Sequence, residues 1–119
     1  MTLDLSSFEK EDYCYLTTRG RTSGEPREIE IWFALEDGVL FLMAGGRDRA
    51  HWVRNLQREP AVTVRIRDVT LAGRARVVEP GTPEDARARV LLFDKYQPGY
   101  ANDLRKWADT ALPVAIDVD

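Results

Sequence analysis

The sequence has little of the chemistry that builds metal and thiol sites. Its 119 residues contain one cysteine, Cys14, and one histidine, His51. A single cysteine cannot form a disulfide within the chain, and a zinc site needs several cysteines or histidines close together. We therefore expect no internal disulfide and no metal site. Because Cys14 lies in an alternating apolar segment, we interpret it as a buried structural thiol rather than a nucleophile.

Long apolar runs and a strongly basic composition are also absent. No stretch approaches the roughly 20 apolar residues of a membrane span. The acidic N-terminus lacks the order of a signal peptide, so we expect a cytoplasmic protein. The net charge of -3 argues against a nucleic-acid partner. No GxGxxG motif follows a predicted strand and no P-loop lysine is present, which removes the main support for Rossmann and NTPase folds.

A pair of glycines, Gly45 and Gly46, joins a buried strand predicted at residues 39–43 to a basic amphipathic helix. Glycine permits positive φ and close approach of a ligand to the backbone. The first helical turn would add free N–H groups and the positive end of the helix dipole. With Arg47 and Arg49 beside it, this joint is a candidate site for an anionic group. The alternative is an ordinary turn without a ligand.

The helix after the glycine pair is predicted over residues 48–58, with Asp48 as its N-cap. It should end before Pro60, because the residue preceding a proline avoids the helical conformation. His51 and Asn55 are one turn apart and should lie side by side. As the only histidine, His51 invites a catalytic role, but no serine, cysteine or carboxylate is spaced to form a relay with it. We interpret it as a surface or hydrogen-bonded residue and leave the catalytic residue unassigned.

The segment RGRTSGEPR, at residues 19–27, is a second candidate anion site. Its glycines and proline predict a hairpin-like connection between two strands. Arg21, Ser23 and Arg27 are its possible anion ligands. The alternative is a solvated surface loop, since surface turns commonly carry such residues.

The next strand is predicted at residues 28–35, with Ile29, Ile31 and Phe33 on one face and Trp32 on the other. This alternation indicates a strand with one buried face. A tight turn then leads into the following strand, so the two should pair antiparallel. Trp32 could stack on a flat ligand, or it could pack in the core or against a partner subunit.

Short strands and a few helices alternate through the rest of the chain. We predict strands at 13–18, 62–67, 70–78 and 113–118, helices at 84–95 and 103–109, and a short helix at 8–11. Thr82, Pro83 and Asp85 mark the start of the helix at 84–95. Its apolar stripe should contain Ala86, Val90 and Phe93, broadened by Leu91 and Leu92. Connections of hairpin length predict a mainly β fold, an antiparallel barrel of about six strands with three or four flanking helices. We expect residues 1–119 to form a single domain.

Several segments together resemble a known family. They are YLTTRGRTSGEPREIEIWF, GVLFLMAGG, HWVRNLQREPAVTVRI and LAGRARVVE, and they span about residues 15–79. The most recognisable pieces are the GR-x-SG turn at 20–24, the glycine pair and the segment 52–56. They are similar to the deazaflavin (F420)-dependent nitroreductase family of the FMN-binding split-barrel, or pyridoxamine phosphate oxidase-like, superfamily. Many members have Ser-Lys before the glycine pair, where this chain has Met43-Ala44.

The resemblance implies an oxidoreductase with a split β-barrel, in which F420 or FMN carries hydride to a small organic acceptor such as a quinone, nitroaromatic or enone. It also implies a homodimer with the cofactor in a groove between barrel and helix. The phosphate end would be held by Arg21, Ser23, Gly45, Gly46, Arg47 and Arg49, and the ring by Ile31, Trp32 and Phe33. The alternative is a non-catalytic protein that binds a flavin, a deazaflavin or haem.

Aromatic residues on mixed faces also favour a homodimer. The residues concerned are Tyr13, Tyr15, Trp32, Tyr100 and Trp107. Their strand and helix neighbours are polar, so we expect a partner subunit to cover some of them. The alternative is a monomer whose two C-terminal helices fold over the same face.

Overall fold

The computed structural model describes residues 5–119, which form a seven-stranded antiparallel sheet and three α-helices. The strands are β1 Cys14–Arg19, β2 Pro26–Ile31, β3 Ala34–Glu36, β4 Val39–Ala44, β5 Ala61–Ile66, β6 Val69–Val77 and β7 Leu112–Val118. The helices are α1 His51–Arg58, α2 Pro83–Tyr96 and α3 Arg105–Thr110. The first helical turn is the 3₁₀ segment Ser6–Phe8 rather than residues 8–11. The predicted mainly β, antiparallel split barrel with flanking helices is confirmed.

The strand order is β2-β1-β5-β6-β7-β4-β3, so β2 and β3 form the two edges of the sheet. These edge strands follow one another in the chain and are separated only by Trp32 and Phe33. The sheet must therefore curl until its two edges meet near this short link. That curling produces the open barrel.

The break at Trp32 and Phe33 corrects the prediction of one strand at 28–35. β2 pairs with β1, whereas β3 pairs with β4 through the tight turn at Asp37 and Gly38. Both turn residues have positive φ, 54 and 78, as a two-residue hairpin turn requires. The strand is interrupted because the Phe33 backbone bonds to side chains of α2 instead of to a neighbouring strand.

Two hydrophobic clusters lie on opposite faces of the sheet. The barrel interior contains Leu16, Leu42 and Ile116, while Phe41 and Met43 point into a second cluster beneath α2 and α3. Because β4 contributes to both clusters, it is apolar on both faces. This explains the nearly continuous apolar run at residues 39–43 in the sequence.

The second helix begins as predicted, with the Thr82 hydroxyl accepting a hydrogen bond from the Asp85 amide at 3.2 Å. Its buried face, however, is formed by Ala88, Leu92 and Tyr96. The sequence indicated a stripe through Ala86, Val90 and Phe93, broadened by Leu91 and Leu92. Of these residues only Leu92 is fully buried, because α2 is apolar on two sides and the side carrying Tyr96 is the one that docks on the sheet.

The C-terminal helices cover the face that carries Trp32. Its ring stacks on Tyr96 at 4.3 Å between centroids and meets Trp107 edge-on at 5.6 Å. For Trp32 and Trp107 the cover therefore comes from α2 and α3 of the same chain, which is the alternative that the sequence left open. Tyr13 and Tyr100 remain 48% and 42% exposed.

The single cysteine is fully buried in the barrel interior, as predicted. Burial raises the pKa of the Cys14 thiol to about 12, so the thiolate form that a nucleophile requires is disfavoured. Within residues 5–119, no helix is both long enough and apolar enough to cross a membrane.

Candidate functional site

The joint between β4 and α1 differs from its predicted geometry. Positive φ occurs at Arg47, where it is 55, whereas Gly46 has φ -80 and Gly45 is also outside the positive region. Arg47–Arg49 form a separate 3₁₀ turn, and an extended Ala50 precedes α1. The predicted helix start at 48 and Asp48 N-cap are therefore wrong, and neither glycine uses the positive φ that glycine permits. The extended Ala50 ends the 3₁₀ turn, so α1 begins only at His51.

The fold itself does not require glycine at 45 and 46. A Cβ on Gly45 would lie 3.8 Å from Trp107, and one on Gly46 would lie 3.8 Å from the Ala50 nitrogen. Both are ordinary van der Waals distances. A Cβ on Gly73, by contrast, would come within 2.7 Å of the Asp117 carbonyl oxygen. The exposed glycine pair thus leaves a stretch of backbone that a ligand can approach closely.

The two arginines beside the glycine pair have different surroundings. The Arg47 guanidinium donates a hydrogen bond to the Thr110 carbonyl at the end of α3. Arg49 is exposed, and no carboxylate within residues 5–119 lies within 4.0 Å of it. Arg49 is therefore the freer of the two to meet an anion, while Arg47 also joins α3 to this turn.

Arg21 lies at the centre of a hydrogen-bonded cluster between the β1–β2 loop and α1. Its main-chain N–H and its Nη1 both donate to Asn55 Oδ1, at 3.2 and 2.9 Å. Its Nη2 lies 3.2 Å from His51 Nδ1. The histidine can accept this bond through the lone pair of Nδ1, with its proton on Nε2. The predicted neighbours His51 and Asn55 therefore meet at Arg21.

Sequence reasoning missed Asn55 as a site residue. The side chain is 4% exposed, and its Nδ2 donates to the hydroxyl of Thr18 at 3.3 Å. No buried side-chain polar atom in the described part of the chain lacks a partner. An asparagine beside the apolar face of a short helix was the available signal, because a buried amide needs partners from elsewhere in the fold.

A groove of 430 Å³ opens beside this cluster, and we call it the loop–helix groove. It brings the predicted Arg21 and Ser23 together with Trp52 and Ile29, which supply apolar wall. The Ser23 hydroxyl accepts from the Glu25 amide at 3.2 Å and retains its own hydrogen for a ligand. A larger groove of 1010 Å³ on the outer sheet shares the 20–23 turn.

Unpaired positive charge concentrates around these grooves. Seven arginines have a carboxylate within 4.0 Å, namely Arg27, Arg65, Arg67, Arg76, Arg87, Arg89 and Arg105. The others have none among residues 5–119, and they are Arg19, Arg21, Arg47, Arg49, Arg54, Arg58 and Arg74. This second set includes Arg21, Arg47 and Arg49, which the sequence indicated as phosphate ligands, whereas the candidate anion ligand Arg27 is paired with Glu25. The arginines of this second set lie on α1, on the 3₁₀ turn that precedes α1, or along the two grooves.

The residues predicted to hold the cofactor ring do not line the loop–helix groove. Ile31 packs against the barrel interior, and Phe33 is fully buried there. The Phe33 N–H donates to the Tyr96 hydroxyl at 3.0 Å, and its carbonyl accepts from Lys95 Nζ at 2.8 Å. Trp32 belongs to the aromatic cluster beneath α2 and α3. The assignment of these three residues to the ring stays a prediction.

The curled antiparallel sheet and its flanking helices define the pyridoxamine phosphate oxidase-like split-barrel class. A protein of Listeria innocua assigned as a pyridoxamine 5′-phosphate oxidase superimposes with a TM-score of 0.71. The two chains are 15% identical, and the match covers 97% of this chain and 90% of the other. At this identity the likeness shows the fold alone.

Residues 5–119 match the F420H(2)-dependent quinone reductase family, and the chain belongs to that family. An F420-H2-dependent reductase, FDR-A, is 30% identical, with a TM-score of 0.69 and coverage of 91% of this chain and 94% of that one. Another structure, a domain-swapped dimer, is 26% identical, with a TM-score of 0.68 and coverage of 100% and 84%. The resemblance seen in the sequence is confirmed, and F420-dependent oxidoreduction is the chemistry of the family.

Proposed function

We propose that this protein binds F420 in the loop–helix groove and catalyses the transfer of hydride from reduced F420 to a quinone-type acceptor. The observation that supports this most directly is the Arg21 guanidinium, which faces the groove without a carboxylate partner in the described chain. A charged donor of this kind suits the phosphate of a deazaflavin. Membership of the F420H(2)-dependent quinone reductase family favours a quinone as the acceptor, and it favours F420 over FMN as the cofactor.

The residues on the two sides of α1 fit an anionic cofactor. Arg21 and Ser23 offer side-chain donors from the β1–β2 loop, while Gly45 and Gly46 leave exposed backbone before α1. Arg49 adds charge on the same turn. We assign these residues to the phosphate end. The fit depends on charge and on backbone access, so it does not require the lysine that many relatives place before the glycine pair.

When bound, reduced F420 supplies the hydride, so the protein needs no acid–base dyad of its own. A quinone that accepts this hydride takes one further proton and becomes a hydroquinone. Trp52 and Ile29 provide a flat apolar wall along which such an acceptor could lie. Arg21 holds the anionic end in place, and His51 Nδ1 is occupied in orienting Arg21.

The proposal is tested by titrating the purified protein with F420 and then following oxidation of reduced F420 by a water-soluble quinone. We expect saturable binding and turnover that requires both quinone and protein. Binding without turnover would instead support the non-catalytic alternative. Tighter binding of FMN or haem than of F420 would contradict the choice of cofactor.

We also propose that the protein is a homodimer. The domain-swapped dimer with 26% identity matches this chain over its whole length. The outer faces of β5 and β6 remain open in a single chain and carry the small exposed residues Ala61, Thr63 and Ala72. These short side chains line the 1010 Å³ groove and give a second copy room to approach.

A further inference from the structure

Asn55 is a polar residue between two buried apolar neighbours on α1, Val53 and Leu56. A buried amide is costly unless its hydrogen bonds are made. Here Oδ1 accepts two N–H groups of Arg21, and Nδ2 donates to the buried Thr18 hydroxyl. The amide therefore ties the β1–β2 loop and the end of β1 to α1.

These bonds fix the Arg21 side chain as well as its backbone. Nη1 is held by Asn55 and Nη2 by His51, so the plane of the guanidinium is set from two sides. Nη1 and Nη2 each keep a second N–H, and Nε keeps its own, so the guanidinium still has donors for a ligand. The Asn55 amide is an uncharged acceptor.

Seven other arginines of this chain are paired with carboxylates. Arg76 is paired with Glu84 and Asp117, and Arg87 is paired with Glu36. An aspartate at position 55 would have nearly the same shape as asparagine and would bind Arg21 more strongly. The Thr18 hydroxyl would then donate to the carboxylate, in place of the bond that Nδ2 now donates to it. A tether that served only to hold the loop would therefore gain from a carboxylate.

We propose that Asn55 is a positioning residue for the cofactor's phosphate end, and that its neutrality is the functional feature. It holds the Arg21 guanidinium in one orientation while leaving the positive charge and the free N–H groups for the ligand. This inference rests on the proposed function. The anion site then depends on Asn55, a buried residue that does not itself need to touch the ligand.

The test compares Asn55→Asp with Gln57→Glu, an exposed position on the same helix. Both variants convert an amide into a carboxylate and change the net charge equally. We expect Asn55→Asp to keep the wild-type melting temperature or raise it, because the Arg21 tether persists. We expect its Kd for F420 to increase by roughly tenfold to a hundredfold, the range for losing a hydrogen bond to a charged group. Gln57→Glu should change the Kd by less than about twofold, since exposed charges are screened.

Equal F420 affinity in Asn55→Asp and the wild type would overturn the proposal and leave the proposed function intact. A selective rise in Kd with unchanged melting temperature would support it, because a purely structural tether would not separate the two measurements. The same rise in Gln57→Glu would also overturn it, since the effect would then reflect net charge alone.

NMR of the wild type decides the matter if Asn55→Asp does not fold. The Arg21 side-chain N–H signals should shift when F420 is added, while the Asn55 amide signals keep their positions. Unmoved Arg21 signals at saturation would overturn the proposal.

If F420 fails to bind at all, the proposed function is wrong, and titration with inorganic phosphate tests the role of Asn55 separately. Phosphate should then shift the Arg21 side-chain N–H signals. The absence of any shift would overturn the proposal that Asn55 positions Arg21 for an anion.

Discussion

Arg47 and Arg49 lie on the same 3₁₀ turn but differ in their partners, so their substitution should have separable effects. We expect Arg49→Ala to weaken F420 binding without changing the melting temperature, because the side chain is exposed and unpaired among the described residues. Arg47→Ala should weaken binding and also lower the melting temperature, because it removes the bond to the Thr110 carbonyl. Each charge-assisted bond contributes about 1.5–3 kcal/mol.

The double variant Arg47→Ala with Arg49→Ala is measured by F420 titration beside Arg105→Ala. The guanidinium of Arg105, the first residue of α3, is paired with Asp103. Unchanged affinity in the double variant would remove the turn from the phosphate site. A comparable loss in Arg105→Ala would show that overall charge, rather than local contact, controls binding.

Lys95 should make stability rise with pH. Burial lowers the pKa of its ammonium from 10.5 to about 8 in the folded protein. Between these values the unfolded chain binds more protons than the folded chain, so the free energy of unfolding increases as pH rises from about 8 to 10.5. Cys14 acts in the opposite direction above pH 9.0, because burial raises its pKa from 9.0 to about 12.

The Lys95 contribution is isolated as the difference in unfolding free energy between the wild type and Lys95→Met, measured by denaturant titration at each pH. This difference should shift in favour of the wild type as pH rises through the window. A flat difference from pH 8 to 10.5 would show that Lys95 keeps an ordinary pKa. Cys14 is present in both proteins, so most of its effect cancels.

At the level of elements, α2 closes the gap between the two edge strands. The Tyr96 hydroxyl accepts from the Phe33 amide at 3.0 Å and lies 2.8 Å from the Asp12 carbonyl. Lys95 donates to the Phe33 carbonyl. The end of one helix therefore satisfies the backbone that neither β2 nor β3 can pair.

Tyr96→Phe should destabilise the protein by about 1–3 kcal/mol, because the buried Phe33 amide loses its acceptor while the aromatic ring is kept. The change is measured by denaturant unfolding, with Tyr100→Phe as the matched control. Tyr100 is exposed, so its hydroxyl remains solvated in either state and the control should stay near the wild type. A Tyr96→Phe protein as stable as the control would mean that water replaces the lost contact.

Elements with clear periodicity were predictable, and those fixed by distant partners were not. β5 and β7 follow from apolar alternation, β4 follows from its nearly continuous apolar run, and Thr82 and Pro83 marked the start of α2. The division at Trp32 and Phe33 could not be read locally, because the groups that bond to Phe33 lie 62 and 63 residues away. The buried face of α2 was equally ambiguous, since the helix offers two apolar sides.

At the scale of the whole molecule, the antiparallel barrel followed from strand number and short connections. The candidate site was only partly predictable. Arg21, Ser23 and the glycine pair were recognised from local composition. The cluster that orients Arg21 joins residues 34 positions apart, and its asparagine looks like an ordinary helix residue until the loop is placed beside it.

We expect the protein to sediment as a homodimer at micromolar concentration. The open outer face of β5 and β6 provides the surface, and a stable interface should bury more than about 1,200 Å² in total. The measurement is sedimentation velocity with and without F420. A single species at the 13.6 kDa monomer mass in both conditions would contradict the proposal.

The central position of β7 has a consequence for how the chain is made. β7 pairs with β6 on one side and β4 on the other, yet it follows every other strand in the sequence. During synthesis on the ribosome, β2-β1-β5-β6 and β4-β3 can therefore form only as separate pieces, each with an open edge. Open edges pair readily with other chains. Until β7 emerges to close the gap, a neighbouring nascent copy can supply its own β7, and two chains made side by side would then exchange their last strands.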